Sequence, residues 1–143
     1  MVIAMQIEIP YNWQPRPYQL DVWKQLEQGK RYAALIMHRR AGKDALSLNF
    51  MATQALQKPA NYWMLLPQYK QARSSIWDAV NPHTGVRVID QVFPPFIRKN
   101  GHKANKGLNN QEMKIELING SIFQLKGSWP FSLIFRILGL LLF

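Results

Sequence analysis

The sequence predicts an α/β fold, in which a parallel sheet is flanked by helices and a β-hairpin lies near the C-terminus. Tyr32–Met37 is an apolar run of strand length, and after a short basic loop Ala45–Ala52 is an apolar run expected to form a helix buried on most sides. A strand that is apolar throughout is typical of a buried parallel sheet. Tyr62–Leu66 is a second such run, and it ends at Pro67, which cannot donate to a ladder.

A short amphipathic helix is predicted before the first strand. Pro17 suits its first turn, where a missing N–H is unsatisfied in any case, and Gly29 is placed to end it. Apolar residues follow at helical spacing at Tyr18, Val22 and Leu26. Taken alone, this pattern favours a buried Tyr18 and a solvent-exposed Gln19.

A candidate phosphate-binding loop joins the first strand to the apolar helix. Residues 37–44 have the sequence Met-His-Arg-Arg-Ala-Gly-Lys-Asp. In a P-loop, backbone N–H groups and the helix N-terminus hold the phosphates, and a lysine contacts the β and γ phosphates. Gly42 and Lys43 fit that pattern. Met37 replaces its first glycine, and Asp44 replaces the Ser or Thr that holds Mg²⁺.

Two parts of this loop have alternative interpretations. The carboxylate of Asp44 is a good ligand for a hard cation such as Mg²⁺. An aspartate in the first turn of a helix is also favoured by the helix dipole alone. For the whole loop, the simpler alternative is a basic helix N-terminus on a generic α/β domain, with residues 38–40 solvated.

Four segments together resemble the N-terminal ATPase part of the terminase large subunit of tailed phages, the motor that packages DNA into procapsids. They are residues 15–19 (Pro-Arg-Pro-Tyr-Gln), 38–44, 62–67 and 119–121 (Asn-Gly-Ser). The resemblance covers residues 15–128, and its most specific piece is Arg-Arg-Ala-Gly-Lys. Terminases tolerate a loop without the first glycine and often carry an arginine inside it. The resemblance implies a partial P-loop NTPase domain at residues 1–128 that binds ATP and Mg²⁺.

The resemblance also implies roles for individual residues. Gln19 would contact the adenine edge, and Tyr18 would stack against the base. Arg39 would act in cis as an arginine finger that stabilises the charge developing during phosphoryl transfer. Arg40 would do the same or contact DNA. The other predicted nucleotide-binding residues are Ala41, Gly42, Lys43 and Asp44, of which Asp44 is also the predicted metal ligand.

Basic residues outside the loop are candidates for DNA contact. The net charge of +10 and the pI of about 10.2 favour an anionic partner, although charge alone does not separate DNA from RNA or from an anionic membrane. Residues 98–111 contain no acid and are predicted to form a surface loop. The resemblance directs the helix after Pro67 towards DNA. The candidates are Lys70, Arg73, Lys99, Lys103 and Lys106. For each charge taken alone, a solvated surface is the simpler interpretation.

Two more elements are predicted in the second half of the chain. The helix after Pro67 is expected to continue until Asn81-Pro82 breaks it. A hairpin follows, with a two-residue turn at Asn119-Gly120 and a returning strand at Ile122–Leu125. Its first strand has alternating apolar residues at Met113, Ile115 and Leu117.

A second acidic motif, which ATPases of this class need, is missing from the sequence. It is an apolar strand ending in Asp-Glu, where Asp supports Mg²⁺ and Glu orients the attacking water. No Asp or Glu follows Glu116, and Val86–Asp90 is rejected because Arg87 interrupts the run and Gln91 stands where the glutamate belongs. The acidic cluster of a terminase nuclease domain has no counterpart either. We therefore expect this chain to bind ATP weakly without useful hydrolysis.

Residues 129–143 are almost wholly apolar, unlike the rest of the chain. We interpret them as a non-homologous tail, produced by a disrupted reading frame near Ser128. With Arg136 near its middle, this tail is shorter than the ~20 residues that a membrane-spanning helix needs. The N-terminus shows no signal-peptide pattern. No membrane partner is therefore predicted.

The absence of cysteine excludes disulfides and thiolate metal sites, and the three histidines are too scattered for a zinc motif. The resemblance implies a location in the host cytoplasm. It also implies double-stranded DNA, the portal protein and the terminase small subunit as partners, with oligomers only for the complete protein. Two alternatives stay open. They are a helicase-like P-loop ATPase of another kind, and a basic nucleic-acid-binding module without ATP chemistry.

Overall fold

The computed structural model describes residues 12–100 and 107–127, together with the backbone of residues 140–141. Its helical elements are a 3-10 turn at Pro17–Gln19, α1 (Leu20–Glu27), α2 (Lys43–Gln57), α3 (Tyr69–Ala72), a π-helical turn at Arg73–Trp77, α4 (Val88–Val92) and a 3-10 turn at Pro95–Ile97. Its strands are β1 (Ala33–Ala34), β2 (Asn61–Leu66), β3 (Leu108–Asn109), β4 (Lys114–Glu116), β5 (Ile122–Gly127) and β6 (Leu140–Leu141).

A mixed sheet of four strands, in the order β2-β5-β4-β3, is the framework of the domain. β2 and β5 are parallel, with Asn61 opposite Ile122 and Leu66 opposite Gly127. β4 runs antiparallel to both of its neighbours. Helices flank this sheet, so the predicted α/β class is confirmed. The sheet itself is mixed, because the hairpin is part of it, and its parallel portion is the β2-β5 pair.

The hydrophobic core lies between the helices and one face of this sheet. Trp77 of the π-helical turn and Phe93 after α4 are fully buried there, and the Phe93 ring lies 4.7 Å from that of Phe123. On the opposite face, Trp63 is 52% exposed. The Lys126 ammonium lies 3.8 Å from the centroid of the Trp63 ring, a cation–π distance. The alternation along β2 therefore separates a buried face from a solvated one.

The predicted helix at Ala45–Ala52 is confirmed as part of α2, and its apolar residues are buried. The predicted buried strand at Tyr32–Met37 is wrong. Only β1 is extended within it, and β1 pairs antiparallel with β6 in a separate two-stranded sheet. Ile36 is 99% exposed. An apolar run is buried only where neighbouring elements cover it, and among the described strands none of the four-stranded sheet pairs with this segment.

The helix predicted from Pro17 is observed as a 3-10 turn followed by α1, and Gly29, with φ of +84°, follows its end. The amphipathic pattern misplaced two residues. Tyr18 is 52% exposed and Gln19 is 1% exposed, the reverse of the pattern's prediction. Gln19 lies seven residues before Leu26, about 20° from it on a helical wheel, so helical spacing places it on the same face as this buried leucine. Tyr18 lies further round the helix, where it remains half exposed.

The predicted hairpin is confirmed as β4 and β5, but its turn differs in length. The N–H of Leu117 donates to the carbonyl of Ser121 at 2.8 Å, so three residues form the loop. Gly120 is left-handed, with φ of +88°, as in a three-residue turn that ends in a left-handed residue. The Asn119 side chain is used elsewhere. Its Nδ2 donates to the carbonyl of Ala55 at 2.7 Å.

The helix after Pro67 is shorter and less regular than predicted. α3 leads directly into the π-helical turn, which ends at Trp77, so the helix stops before Asn81-Pro82. Trp77 donates its indole N–H to Asn110 Oδ1 at 3.0 Å. This contact is made between the turn and the segment after β3, and it gives Trp77 a polar partner in the core.

The basic segment 98–111 is not wholly a surface loop as predicted. Arg98 is 5% exposed, forms an ion pair with Asp90, and donates through Nε to the carbonyl of Phe93 at 2.8 Å. A buried guanidinium is tolerated because these partners satisfy it. Asp90 itself lies in α4, so the rejection of Val86–Asp90 as an acidic strand motif is confirmed.

Some predictions concern residues outside those described. These are the DNA-contact candidates Lys103 and Lys106, and the tail at residues 129–143 except for the β6 backbone. In the part of the chain that the structure describes, no helix combines the length and apolarity needed to cross a membrane.

Candidate nucleotide-binding site

The candidate site is the loop at residues 37–44, which leads into α2. Gly42 is the N-cap of this helix, with φ of +77°, and Arg40 is also left-handed, with φ of +62°. Ala41 between them is buried. Loops with left-handed residues ahead of a helix form the backbone concavities in which proteins hold anions. The backbone at this position therefore has the kind of conformation that the phosphate-loop prediction requires.

Two independent features disfavour a side chain at position 42. Its left-handed φ is one that residues with a side chain adopt only at a conformational penalty. In addition, a Cβ at this position would lie 3.0 Å from Nε2 of Gln19. The glycine of the Gly-Lys pair is thus explained by local geometry, before any ligand is considered.

The segment before α1 holds the loop through two side chains. Nε2 of Gln19 donates to the carbonyls of Ala41 at 2.8 Å and Gly42 at 3.3 Å, and its Oε1 accepts the backbone N–H of Arg16 at 3.0 Å. The hydroxyl of Tyr18 donates to the same Ala41 carbonyl at 3.0 Å. The structure therefore brings the two segments together. The contacts are made by side chains to the loop backbone.

Lys43 closes the loop from its other end. Its Nζ donates to the carbonyl of Met37 at 2.8 Å, so the side chain folds back from the start of α2 to the first residue of the loop. An ammonium group has three N–H donors. In the described part of the chain, Met37 is the hydrogen-bond partner of this group, which leaves donors for a second acceptor.

Asp44 is exposed in the first turn of α2. A Mg²⁺ ion in nucleotide sites is held by one or two carboxylates together with phosphate oxygens and water. A single exposed carboxylate next to the loop lysine fits that limited role. Within residues 12–100 and 107–127, no group of three or more His, Cys, Asp or Glu side chains is placed to hold a metal without a nucleotide.

The two arginines of the loop are exposed. Among the described residues, neither the Arg39 nor the Arg40 guanidinium has a hydrogen-bond or ion-pair partner. The ring nitrogen Nδ1 of His38 lies 2.6 Å from the carbonyl of Arg39. Since three of the residues 39–44 are basic and one is acidic, the loop carries a net positive charge at the N-terminus of a long helix. This arrangement favours an anion.

The described DNA-contact candidates lie on other elements. Lys70 is exposed on α3. Arg73, in the π-helical turn, donates to the carbonyl of Asn110 at 2.6 Å and also lies 5.5 Å from the centroid of the Tyr69 ring. Lys99 is 3.6 Å from a carboxylate oxygen of Glu116. Arg73 and Lys99 therefore make intramolecular contacts, whereas Lys70 is open to solvent.

Sequence reasoning did not anticipate the roles of Asn119 and Ser121. Both side chains bond to the end of α2, where Ser121 Oγ donates to the Ala55 carbonyl at 2.6 Å. The available signal was Pro59, which has no N–H to give to the carbonyl four residues before it. The Asn-Gly-Ser segment thus holds the C-terminal end of α2, the helix whose N-terminus follows the loop.

The class defined by this geometry is an α/β domain with a basic, glycine-containing loop at the N-terminus of a buried helix. Comparisons with protein-family profiles, curated proteins and solved structures found no match to this chain.

Proposed function

We propose that the chain is the nucleotide-binding part of a P-loop ATPase of the phage terminase type. The complete motor would use ATP to translocate double-stranded DNA into procapsids, with the portal protein and the small subunit as partners. The observation that carries the proposal is the position of Lys43. It begins α2, directly after a left-handed glycine, and its ammonium spans the loop to Met37.

Each part of this site has a role in binding a nucleoside triphosphate. The N-terminus of α2 and the loop N–H groups attract phosphate oxygens. The Lys43 ammonium can exchange its hydrogen bond to the Met37 carbonyl for a charge-assisted hydrogen bond to a phosphate. Asp44 would hold Mg²⁺ against the phosphates, and the metal supplies charge neutralisation when it is bound. The exposed Arg39 would reach the γ phosphate, where a guanidinium stabilises the developing charge.

The sequence supplies no acidic pair after the hairpin, because Glu116 is its last acid. A P-loop ATPase needs a carboxylate that positions the attacking water. We therefore expect this chain to bind ATP and to show no turnover that depends on Lys43. Turnover that is abolished by Lys43→Ala would contradict the second half of this expectation.

The test is the binding of a fluorescent ATP analogue, with Mg²⁺, to the chain and to Lys43→Ala. Lys30→Ala is a matched control, since Lys30 is exposed after α1 and its loss changes the net charge equally. We expect binding to be lost in Lys43→Ala and retained in Lys30→Ala. No binding by the unmodified chain, or equal losses in both variants, would refute a specific phosphate site.

A basic nucleic-acid-binding module is the second candidate, and the net charge of +10 favours it. Such a module neutralises phosphates with lysine and arginine, so its affinity falls steeply with salt. Salt-sensitive DNA binding that is indifferent to ATP and to Lys43→Ala would support this second function over the first.

A further inference from the structure

The Gln19 amide is almost completely enclosed by the loop that it supports. The side chain is 1% exposed. Both N–H groups of the amide have acceptors in the carbonyls of Ala41 and Gly42, and its oxygen has a donor in the N–H of Arg16. A primary amide has two N–H donors, so its donor capacity is fully used.

We infer that Gln19 is a positioning residue for the phosphate loop and does not read the base of the nucleotide. This inference rests on the proposed function and deepens it, because it concerns which part of the ligand is recognised. To pair with the edge of an adenine, the amide must offer an N–H and its oxygen together. Here the amide would have to leave the Ala41 and Gly42 carbonyls and emerge from a buried position.

The contacts also show how Gln19 acts on the loop. The carbonyls of residues 41 and 42 stand immediately before the N–H groups at the start of α2. Holding these carbonyls fixes the peptide planes and therefore the direction of the N–H groups that face an anion. Tyr18 adds a second bond to the Ala41 carbonyl at 3.0 Å. The N-terminal segment and the loop thus form one preorganised unit.

A consequence for specificity follows. If Gln19 acts only on the loop, its removal weakens every ligand that carries a triphosphate by the same factor. We expect this factor to be about tenfold, the effect of losing a buried hydrogen-bonding group of ordinary strength. The ratio of the affinities for ATP and GTP stays unchanged. A residue that reads adenine would instead change the affinity for ATP and leave the affinity for inorganic tripolyphosphate intact.

The first experiment compares Gln19→Ala with Gln25→Ala, a control at an exposed position of α1. ATP, GTP and inorganic tripolyphosphate, each with Mg²⁺, are titrated as competitors of the fluorescent analogue. We expect all three to weaken about tenfold in Gln19→Ala and none to change in Gln25→Ala. A loss confined to ATP, or no loss in any ligand, would overturn the inference. Gln19→Met, which keeps the side-chain volume without hydrogen bonds, replaces the alanine variant if that variant does not fold.

The second experiment needs no ligand, so it separates this inference from the proposed function. Amide hydrogen exchange is measured for the backbone of residues 40–46 and, as a reference for global stability, for β5. We expect Gln19→Ala or Gln19→Met to accelerate exchange in the loop while β5 is unchanged. Equal exchange in the loop, or acceleration that is uniform across both regions, would refute local positioning. If the unmodified chain binds neither ATP, GTP nor tripolyphosphate, the proposed function is refuted. The hydrogen-exchange measurement then decides the role of Gln19 in positioning the loop.

Discussion

The C-terminal end of α2 depends on two side chains from the hairpin turn, and a double-mutant cycle tests this directly. The carbonyl of Ala55 would ordinarily accept the N–H of residue 59, but residue 59 is proline and has none. Asn119 Nδ2 at 2.7 Å and Ser121 Oγ at 2.6 Å donate to this carbonyl instead. These two bonds together take the place of the one helical bond that Pro59 cannot make.

The magnitudes follow from what each substitution leaves behind. In Ser121→Ala, Ala55 keeps the donor of Asn119, so we expect a loss of about 1 kcal/mol in the free energy of unfolding, the usual net value of one hydrogen bond. Asn119→Ala leaves Ser121 as the donor and should cost about as much. In the double variant, the buried carbonyl has neither donor. A full desolvation penalty of about 1–3 kcal/mol then applies, so the combined loss exceeds the sum of the single losses.

The assay is urea denaturation of the unmodified chain, the two single variants and the double variant, with unfolding monitored by tryptophan fluorescence. Gln25→Ala and Ser75→Ala, at exposed positions away from the end of α2, provide controls for the loss of an amide and of a hydroxyl. We expect a coupling energy of about 1 kcal/mol between residues 119 and 121. If the single losses add without coupling, the two side chains do not act through the shared Ala55 carbonyl.

Two further predictions concern polar groups that are partly or wholly buried. Burial raises the pKa of the Tyr62 phenol above its ordinary value of 10.0, and its hydroxyl donates to the Lys58 carbonyl at 2.8 Å. The folded state therefore retains the proton more strongly than the unfolded state, and this contribution is present below pH 10 and lost as the pH rises through the folded pKa. Denaturation at pH 7 and 11 should show the stability advantage of the unmodified chain over Tyr62→Phe shrinking at the higher pH, and a constant advantage would contradict the pKa direction. Arg98→Met should lower the free energy of unfolding by about 2 kcal/mol, because Asp90 and the Phe93 carbonyl lose a buried donor. Lys99→Met, at a neighbouring exposed cation, should change it little, and similar losses in both variants would count against the buried pair.

Local patterns in the sequence predicted where three elements lie but not always how they are buried, since β2 was expected to be buried on both faces and is buried on one. α2 and β2 were located by their apolar residues, and the hairpin by its alternation and its Asn-Gly pair. The strand at Tyr32–Met37 failed for a different reason. Its composition fits a buried strand, but burial requires a neighbouring strand, and composition does not reveal whether one is present.

The loop at residues 37–44 shows the same limit of prediction from local sequence patterns. The Gly-Lys pair was visible as a motif, since the helix after it was predictable. The contacts of Gln19 were not visible, because the bonded residues are far apart in the sequence. Helical spacing places Gln19 on the face of Leu26, but a polar side chain is buried there only where it finds hydrogen-bond partners, and those partners lie in the loop backbone.

The parallel pairing of β2 with β5 also affects the order in which the strands of the sheet can pair. Asn61 pairs with Ile122, whereas the hairpin joins Glu116 to Ile122. The chain between residues 61 and 122 forms a much longer loop than the chain between residues 116 and 122. Because the entropic cost of closure rises with the logarithm of loop length, closing the longer loop costs about 2 kcal/mol more free energy. During synthesis from the N-terminus, Met64 and Leu66 leave the ribosome well before Phe123 and Leu125, which complete their layer of the core. The apolar side of β2 thus remains without its neighbouring strand until the last described residues of the sheet have been made.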